Sequence, residues 1–407
     1  MKKISVIYAG WAERFQLGTL ADDGKVLLFE YSPEALERGL ELSPHKLPLS
    51  DKAYGDFPEH QLKLPGLISD SLPDGWGMLL MDRLFRKQGK RPEQISPLDR
   101  LAVIGDTAMG ALVFEPAEGF ALTHEDVHLL ELAKETREVL RDESEDVLRK
   151  LMMMGGSPHG ARPKVLVNFD RSTNQMTNWD GGAGIPVLVK FPAHNEHKEV
   201  CAIEAMYGRI ALACGISVPR SDYFDLSKDL SAFGIERFDR FEKMRVPMHT
   251  AAGAAHVDFR IPQLDYINLL RLTQRMTKDA REVLLAYERC VFNVVFNNRD
   301  DHSKNFSFLL AKDGRWQLSP AYDLTYCVGP GGEHQMDICG EAREPKRQNL
   351  LELAKKGGIP EKIAIESVER IAEVATRFNE FTDEFPIRKA TIKEIKAAVN
   401  LNQGRIA

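Results

Sequence analysis

The sequence predicts an α+β fold, and three observations support this class. Short β-type runs and one amphipathic helix pattern occupy the first 115 residues or so. From about Gly155, glycines separate further β-type runs, and beyond residue 262 the pattern is mostly helical, with one interruption at 306–325. A chain of 407 residues is long enough for two or three domains of about 100–200 residues each.

The N-terminal region begins with three short β-type runs. They span Lys3–Tyr8, Phe15–Leu20 and Val26–Tyr31, and the turn sequence Asp22-Asp23-Gly24 connects the last two. An apolar stripe at helical spacing predicts a helix at Trp76–Arg86. The strongly charged stretch at 124–151 predicts helices that connect this region to the next one.

The middle of the chain combines β-type runs with one helix. The runs lie at Lys164–Phe169 and Pro186–Phe191, and a further β-type stretch ends at 235–238. A helix pattern spans Glu199–Cys214 and stops at Gly215, a typical residue just beyond a helix C-terminus.

Composition excludes several classes of protein. No window approaches the roughly 20 apolar residues that a membrane span needs, and a signal peptide is not expected at the N-terminus. The net charge of −6 gives the whole chain no general attraction to DNA. The five cysteines form no Cys-x-x-Cys pair, so they predict free thiols in a reducing cytoplasm rather than a zinc site or disulfides.

The most informative stretch is residues 297–306, Asn-Asn-Arg-Asp-Asp-His-Ser-Lys-Asn-Phe. A densely apolar helix pattern at Val283–Phe296 precedes it and is expected to cross a core. A strong hairpin signal follows, with strands at Phe306–Leu310 and Trp316–Leu318 around Asp313-Gly314. This hairpin leads directly to Asp323.

Phosphoryl transfer uses such an order of groups. A loop carboxylate positions the attacking hydroxyl, and an amide five residues later and a second carboxylate hold Mg²⁺. In this interpretation Asp300 is the orienting residue or base, and Asn305 and Asp323 hold the metal, for which oxygen ligands are suited. Asp301 is close enough to confuse the assignment, but the five-residue step to Asn305 favours Asp300. Without the hairpin and Asp323, turn and capping preferences alone would explain such a polar loop.

Candidates for a phosphate-binding half lie upstream. Lys190 ends the β-type run that begins at Val187, where a lysine can contact nucleotide phosphates, although an ordinary surface lysine is the simpler alternative. Glu204 on the next helix could orient Lys190, but Glu199 and Arg209 lie on the same helix. The glycine-rich turn at 155–164 could cradle phosphates with backbone amides, and it is not a Walker A loop.

Together these motifs resemble the HipA-type serine/threonine kinases, the toxin halves of bacterial toxin–antitoxin pairs. The resemblance covers almost the whole chain in order. It is carried by Leu72-Pro-Asp-Gly-Trp-Gly77, Gly105…Gly110-Ala-Leu112, Ser157-Pro-His-Gly-Ala-Arg-Pro-Lys164, Leu188-Val-Lys-Phe-Pro192, Glu204…Gly215-Ile-Ser-Val-Pro219, Glu236-Arg-Phe-Asp-Arg240, Asp300-Asp-His-Ser-Lys-Asn-Phe-Ser307 and Tyr322-Asp-Leu324. Asp301 departs from the commonest form of the family's loop and is expected to add negative charge near the metal.

The resemblance implies a two-lobed, protein-kinase-like fold with an added N-terminal α/β subdomain and a largely helical C-terminal lobe. It places the N-terminal subdomain at 1–120, a helical connection at 121–150, an N-lobe with the glycine-rich loop at 151–240, and the helical C-lobe with the catalytic loop at 241–407.

It also implies an ATP- and Mg²⁺-dependent kinase that phosphorylates protein serines and autophosphorylates Ser157. Besides Asp300, Asn305 and Asp323, the implied nucleotide-binding residues are Ser157, His159, Gly160, Ala161, Lys164, Lys190, Glu236, Arg237, Phe238, His302 and Lys304. Backbone groups around Glu236–Phe238 are expected to contact adenine.

The implied partners are a small helix-turn-helix antitoxin and, through it, operator DNA. An aminoacyl-tRNA synthetase is the target in well-known members, and the cytoplasm is the expected location. Two alternatives stay open: a small-molecule or lipid phosphotransferase on the same scaffold, and an inactive ATP-binding co-repressor.

Overall fold

The computed structural model describes residues 2–118, 125–138, 145–156, 158–178 and 184–407. These residues form two compact units. The first unit contains Met1–Lys198, Asp222–His249 and Leu310–Gly314, and the second contains Glu199–Ser221, Thr250–Leu309 and Arg315–Ala407.

A four-stranded antiparallel sheet opens the first unit. Its strands are β1 (Lys3–Tyr8), β2 (Phe15–Asp22), β3 (Leu27–Tyr31) and β4 (Leu112–Glu115), in the order β3-β2-β1-β4. Along β3, buried residues alternate with exposed ones, as expected for a sheet with one face on a core. The three predicted N-terminal strands are confirmed, and β4 is an addition that the sequence did not reveal.

Helices connect the strands of the first unit, and two of them, α1 (Pro33–Arg38) and α4 (Pro97–Ile104), pack against this sheet. The helices are α1 (Pro33–Arg38), α2 (Gly66–Ser69), α3 (Gly75–Lys87), α4 (Pro97–Ile104), α5 (Leu129–Glu138) and α6 (Glu145–Gly155). The predicted helix at Trp76–Arg86 is α3, whose buried face includes Trp76, Leu80 and Phe85. The charged stretch at 124–151 supplies α5 and α6, as predicted, although residues 124 and 139–144 lie outside the described part of the chain.

A second, five-stranded sheet follows in the order β6-β5-β7-β9-β8. Its strands are β5 (Lys164–Asp170), β6 (Gln175–Thr177), β7 (Ile185–Lys190), β8 (Ser221–Asp225) and β9 (Ser231–Glu236). Strands β10 (Arg240–Phe241) and β11 (Met244–Arg245) come next and pair with each other, and β12 (Met248–Thr250) ends this part of the chain. Antiparallel pairing makes Lys164 the direct partner of Lys190, and Lys190 the direct partner of Phe233.

The second unit is mainly helical. Its helices are α7 (Glu199–Ala213), α8 (Ala251–Ala255), α9 (Tyr266–Thr277), α10 (Ala280–Val295), α11 (Arg347–Lys356), α12 (Glu361–Thr376), α13 (Phe378–Thr382) and α14 (Lys389–Ile406). Helix α10 crosses the core as predicted, and Tyr287, Val291 and Phe292 on it are completely buried. The predicted hairpin is present as β13 (Ser307–Leu310) and β14 (Trp316–Leu318).

The non-helical interruption is longer than the sequence pattern predicted. It continues past residue 325 to Lys346, the residue before α11, with one short 3₁₀ turn at Pro330–Gly332. The sequence Gly329-Pro330-Gly331-Gly332 explains the difference, because all three glycines adopt positive φ angles that a helix does not accommodate. Among the described residues, no helix is both long and apolar enough to span a bilayer.

Candidate functional site

The loop at 297–306 begins where α10 ends, and hydrogen bonds fix its first residues. Asn298 donates from its side-chain amide to the Asn293 side-chain oxygen (3.0 Å), and its backbone N–H donates to the Asn293 carbonyl (2.9 Å). Asn297 exchanges backbone and side-chain bonds with Cys327, and Arg299 N–H donates to the Cys327 carbonyl (3.2 Å). The loop is therefore tied to the chain that follows the β13–β14 hairpin.

Asp300 and Asp301 have different environments within this loop. The Asp300 side chain is 52% exposed, whereas the Asp301 side chain is completely buried. The Asp301 carboxylate accepts hydrogen bonds from the Tyr266 hydroxyl (2.7 Å), from His334 Nδ1 (2.8 Å) and from the Gln335 N–H (2.8 Å). The accessible carboxylate is thus Asp300.

The burial of Asp301 gives this residue a structural role that the sequence did not predict, while its effect on a nearby metal stays a prediction. Burial, together with the Asp301 carboxylate, raises the pKa of Tyr266 well above its usual value, so the phenol stays protonated and donates. Asn293 also donates to the Tyr266 hydroxyl (3.0 Å). Asp301 is therefore a buried hydrogen-bond acceptor with a structural role. Two consecutive aspartates in a sequence do not show which of them is buried.

The hydroxyl of Tyr322 ties the residue before Asp323 to the loop that carries Asn305. This hydroxyl donates to the Lys304 carbonyl (2.6 Å) and also contacts Ser307 Oγ (2.6 Å), so Tyr322 is fixed against the residue just before Asn305 and the residue two positions after it. Asn305 uses its Nδ2 to donate to the Asp300 carbonyl (2.7 Å), so Oδ1 is the side-chain atom that could hold a metal ion.

The chemistry of Asn305 and Asp323 fits Mg²⁺. An amide oxygen and a carboxylate are hard oxygen ligands, and Mg²⁺ typically takes one or two protein carboxylates and keeps its waters. Asp323 has a φ of 53°, a conformation that is uncommon outside glycine and is concentrated at functional sites. Within the described ranges, no group of three or more His, Cys, Asp or Glu side chains is arranged for a metal such as zinc.

Lys304, His302 and Phe259 form a small cluster next to Asp300. The Lys304 ammonium lies 4.4 Å from the centre of the Phe259 ring, and the same ring packs against His302 at a centroid distance of 5.3 Å. His302 Nε2 is 3.8 Å from Asp300 Oδ1. Sequence reasoning named His302 and Lys304 but missed Phe259, because nothing in the local sequence links it to the loop.

In the first unit, Lys164 and Lys190 are directly opposite on β5 and β7, so their side chains lie on the same face of the sheet. Lys164 is buried, and its ammonium donates to the His159 carbonyl. The Lys190 ammonium is 5.9 Å from the ring centre of Phe233 on β9. The pair therefore places two lysine side chains on one face of this sheet.

The glycine-rich loop contacts the segment that precedes α3. Gly160 N–H donates to the Asp74 carboxylate, Trp76 N–H donates to the Gly160 carbonyl (3.1 Å), and His159 Nε2 donates to the Leu72 carbonyl (3.0 Å). Ser157 itself lies outside the described residues. Ala161 is exposed, and it follows Gly160 in the loop.

The stretch at 236–240 is held mainly by ion pairs. Glu236 pairs with Arg171 (2.6 Å), and Arg237 donates to Asp239 through Nε (2.9 Å) and Nη2 (2.8 Å). Asp239 is completely buried and also accepts from Arg240 (2.7 Å) and the Gly110 N–H (2.8 Å).

Burial alone would raise the pKa of Asp239, but the two guanidiniums beside it hold that pKa well below its usual value. The side chains of Glu236 and Arg237 are thus engaged in structural contacts, and Phe238 is half-buried. Glu204 is buried on α7 in the second unit, whereas Lys190 belongs to the first, and their ion pair stays a prediction.

Comparison with known families defines the class to which this fold and these motifs belong. Residues 9–115 match the family model of the HipA N-terminal domain, and residues 156–378 match that of the HipA-like C-terminal domain. The second match alone spans more than half of the chain. The chain belongs to the HipA family.

Individual relatives are distant in sequence. A putative kinase of Haemophilus influenzae is 28% identical over 193 residues, covering 42% of this chain and 52% of that protein. A putative kinase of Sinorhizobium fredii is 24% identical over 337 residues, covering 78% of this chain and 76% of that protein. The chain spans about half the length of the first of these relatives and of a second Sinorhizobium fredii putative kinase.

The fold is that of a solved HipA. The HipA of Shewanella oneidensis, whose structure was determined with HipB and operator DNA, matches with a TM-score of 0.75 at 18% identity over 99% of this chain and 97% of that one. The predicted α+β class and HipA-like fold are thereby confirmed.

Proposed function

We propose that this protein is an ATP- and Mg²⁺-dependent serine/threonine-protein kinase that serves as the toxin of a toxin–antitoxin pair. One observation carries the proposal: the 297–306 loop exposes Asp300 and ties Asn305 to it, while Tyr322 anchors Asp323 beside the same loop. These are the three groups that phosphoryl transfer requires in that order. The names of the curated relatives, putative kinases, support the same activity.

In this proposal Asp300 accepts the proton of a serine hydroxyl while the hydroxyl oxygen bonds to the γ-phosphorus and the bond to the ADP oxygen breaks. Asn305 and Asp323 would hold the metal, which neutralises phosphate charge when bound. The Lys304 ammonium and a hydrogen bond from His302, which lies near Asp300, would stabilise the transferring phosphoryl group.

The first unit would bind the nucleotide. Lys164 and Lys190 would contact the phosphates, because both lysine side chains lie on one face of the sheet. His159, Gly160 and Ala161 would shape the glycine-rich loop around those phosphates. Backbone groups of Glu236, Arg237 and Phe238 would contact adenine, since two of these side chains are engaged in ion pairs.

We further propose autophosphorylation of Ser157, which would place about two negative charges in a loop built for phosphates and switch the enzyme off. The proposed partners are a small helix-turn-helix antitoxin and, through it, operator DNA, as in the Shewanella oneidensis complex. The net charge of −6 favours contact with DNA through a partner. An aminoacyl-tRNA synthetase is the proposed target and the cytoplasm the proposed location.

The identity of the phosphate acceptor tests this function. The purified chain is incubated with γ-labelled ATP and Mg²⁺ in the presence of host lysate protein, a metabolite extract or lipid vesicles, and phosphorylated sites are located by mass spectrometry. We expect label on serine residues of proteins, and Ser157 of the chain itself should be one of them. The Ser157→Ala variant should carry no label at that position. Label confined to a metabolite or lipid would support the small-molecule alternative, and nucleotide binding without any transfer would support the inactive co-repressor.

A further inference from the structure

Three hydrogen bonds join the glycine-rich loop to Leu72–Gly77, a segment that contains the first residues of α3 and those just before it. The Asp74 carboxylate accepts the Gly160 N–H, the Trp76 N–H donates to the Gly160 carbonyl (3.1 Å), and His159 Nε2 donates to the Leu72 carbonyl (3.0 Å). Both backbone groups of Gly160 are thus bound by this one segment. The contact lies wholly within the first unit.

Two glycines allow the backbones to approach this closely. A Cβ on Gly77 would lie 2.4 Å from the Gly156 carbonyl oxygen, and a Cβ on Gly75 would lie 2.7 Å from the Gly160 carbonyl oxygen. Real Cβ atoms do not tolerate such distances, so any side chain at either position would push the loop away. The Leu72–Gly77 segment therefore packs closely against the glycine-rich loop at Gly156 and at Gly160.

The Asp74 carboxylate does not make the hydrogen bond that an aspartate at a helix N-cap usually makes. It is the N-cap residue of α3, where a carboxylate usually accepts a bond from its own helix, but no such side-chain cap is present. Its carboxylate bonds instead to Gly160, a residue 86 positions away in sequence. A bond from a backbone N–H to a carboxylate is stronger than one between neutral groups, so Asp74 is a strong anchor for the loop.

We propose that Asp74 is a positioning residue that keeps the glycine-rich loop in its nucleotide-binding conformation. The loop leads directly into β5, whose first residue is Lys164, and the Lys164 ammonium donates to the His159 carbonyl. Fixing Gly160 therefore also fixes the turn from which Lys164 projects. The kinetic consequence of this inference rests on the proposed ATP-dependent function, whereas its structural consequence does not.

The test compares the full chain with Asp74→Ala and Asp74→Asn. The matched control is Asp22→Ala, which removes a carboxylate that likewise accepts a glycine N–H, that of Gly24 (2.8 Å), in a hairpin turn of the same unit. Hydrogen exchange of residues 158–164, followed by mass spectrometry, measures how firmly the loop is held. Steady-state kinetics measures the KM for ATP and the kcat separately.

Asp74→Ala is expected to speed exchange at 158–164 and to raise the KM for ATP roughly tenfold, with a much smaller change in kcat at saturating ATP. Asp74→Asn keeps an acceptor oxygen and should give intermediate values, and it decides the question if the alanine variant does not fold. Exchange equal to wild type in both variants, or an equal rise in KM for Asp22→Ala, overturns the inference. If the wild type transfers no phosphate, the proposed function fails, and the exchange data still decide whether Asp74 holds the loop.

Discussion

Asp300 and Asp301 are neighbours in sequence, yet one carboxylate faces solvent and the other is sealed in the interior. The Asp300 side chain is 52% exposed, and that of Asp301 is fully buried. Asp301 accepts bonds from Tyr266, His334 and Gln335, and so joins the 297–306 loop to α9 and to the chain after the hairpin. Asp301 thus stabilises the loop, whereas the loop exposes the Asp300 carboxylate to solvent.

Removing the Asp301 carboxylate should destabilise the protein. Asp301→Ala leaves three donors, two of them buried, without their acceptor, and each lost bond to a charged group costs on the order of 1.5–3 kcal/mol. We therefore expect a fall of at least about 3 kcal/mol in the free energy of unfolding, measured by urea denaturation. Asp300→Ala is the control, and its exposed position predicts a change within about 0.5 kcal/mol. Equal losses for the two variants would contradict the division of roles between these residues.

Lys190 should contribute to ATP affinity. A charge-assisted bond to phosphate contributes about 1.5–3 kcal/mol, so Lys190→Ala should raise the KM for ATP roughly 10- to 100-fold. Lys312→Ala removes an exposed lysine from the same unit and serves as the control. The measurement is the ATP dependence of the initial rate. An unchanged KM in Lys190→Ala would show that this lysine does not contact the nucleotide.

Asn305 and Asp323 should set the metal requirement. Replacing either with alanine removes one oxygen ligand, so half-saturation should require roughly 10- to 100-fold more Mg²⁺, and EDTA should abolish transfer in the wild type. The Mg²⁺ dependence of the rate at fixed ATP tests this expectation. Asp383→Ala, which alters an exposed aspartate of the same unit, should leave the curve where it is. Wild-type metal dependence in both site variants would exclude them as ligands.

Asp239 should stabilise the first unit in a pH-dependent manner. Asp239→Asn leaves the buried guanidiniums of Arg237 and Arg240 without their counter-charge, which typically costs about 3–5 kcal/mol. The folded-state pKa of Asp239 lies below the unfolded value near 4, so its contribution is complete above about pH 5 and is lost as the pH falls through the folded pKa.

The difference in unfolding free energy between wild type and Asp239→Asn should therefore be constant from pH 7 to about pH 5 and shrink at lower pH. Urea denaturation across this range measures it. A difference that grows as the pH falls would mean that Asp239 does not carry a depressed pKa in the folded state.

Local patterns predicted most of the secondary structure. Short β-type runs predicted β1, β5 and β7 to within one residue at each end, and the Asp313-Gly314 turn located the hairpin that leads to Asp323. The short strand β6 (Gln175–Thr177) was missed, because three mostly polar residues carry no periodic signal. The non-helical stretch was predicted to end at residue 325, but it continues to residue 346. The positive φ angles of its glycines, which explain the difference, are seen only in the structure.

Contacts between distant residues could not be predicted in the same way. The pairing of Lys164 with Lys190 depends on strand register, and the bond from Gly160 to Asp74 joins residues 86 positions apart. The burial of Asp301 depends on Tyr266 and His334, which are more than 30 residues away on opposite sides in the sequence. A spacing rule can select Asp300 over Asp301, but only the packing gives the second aspartate its structural role.

The most direct test of the central proposal is the rate of γ-phosphate transfer in a single turnover by wild type and by Asp300→Asn, with ATP binding measured in parallel. The account predicts that the variant binds ATP and Mg²⁺ as well as the wild type and transfers phosphate at least about 100-fold more slowly. Transfer at the wild-type rate by Asp300→Asn would contradict it.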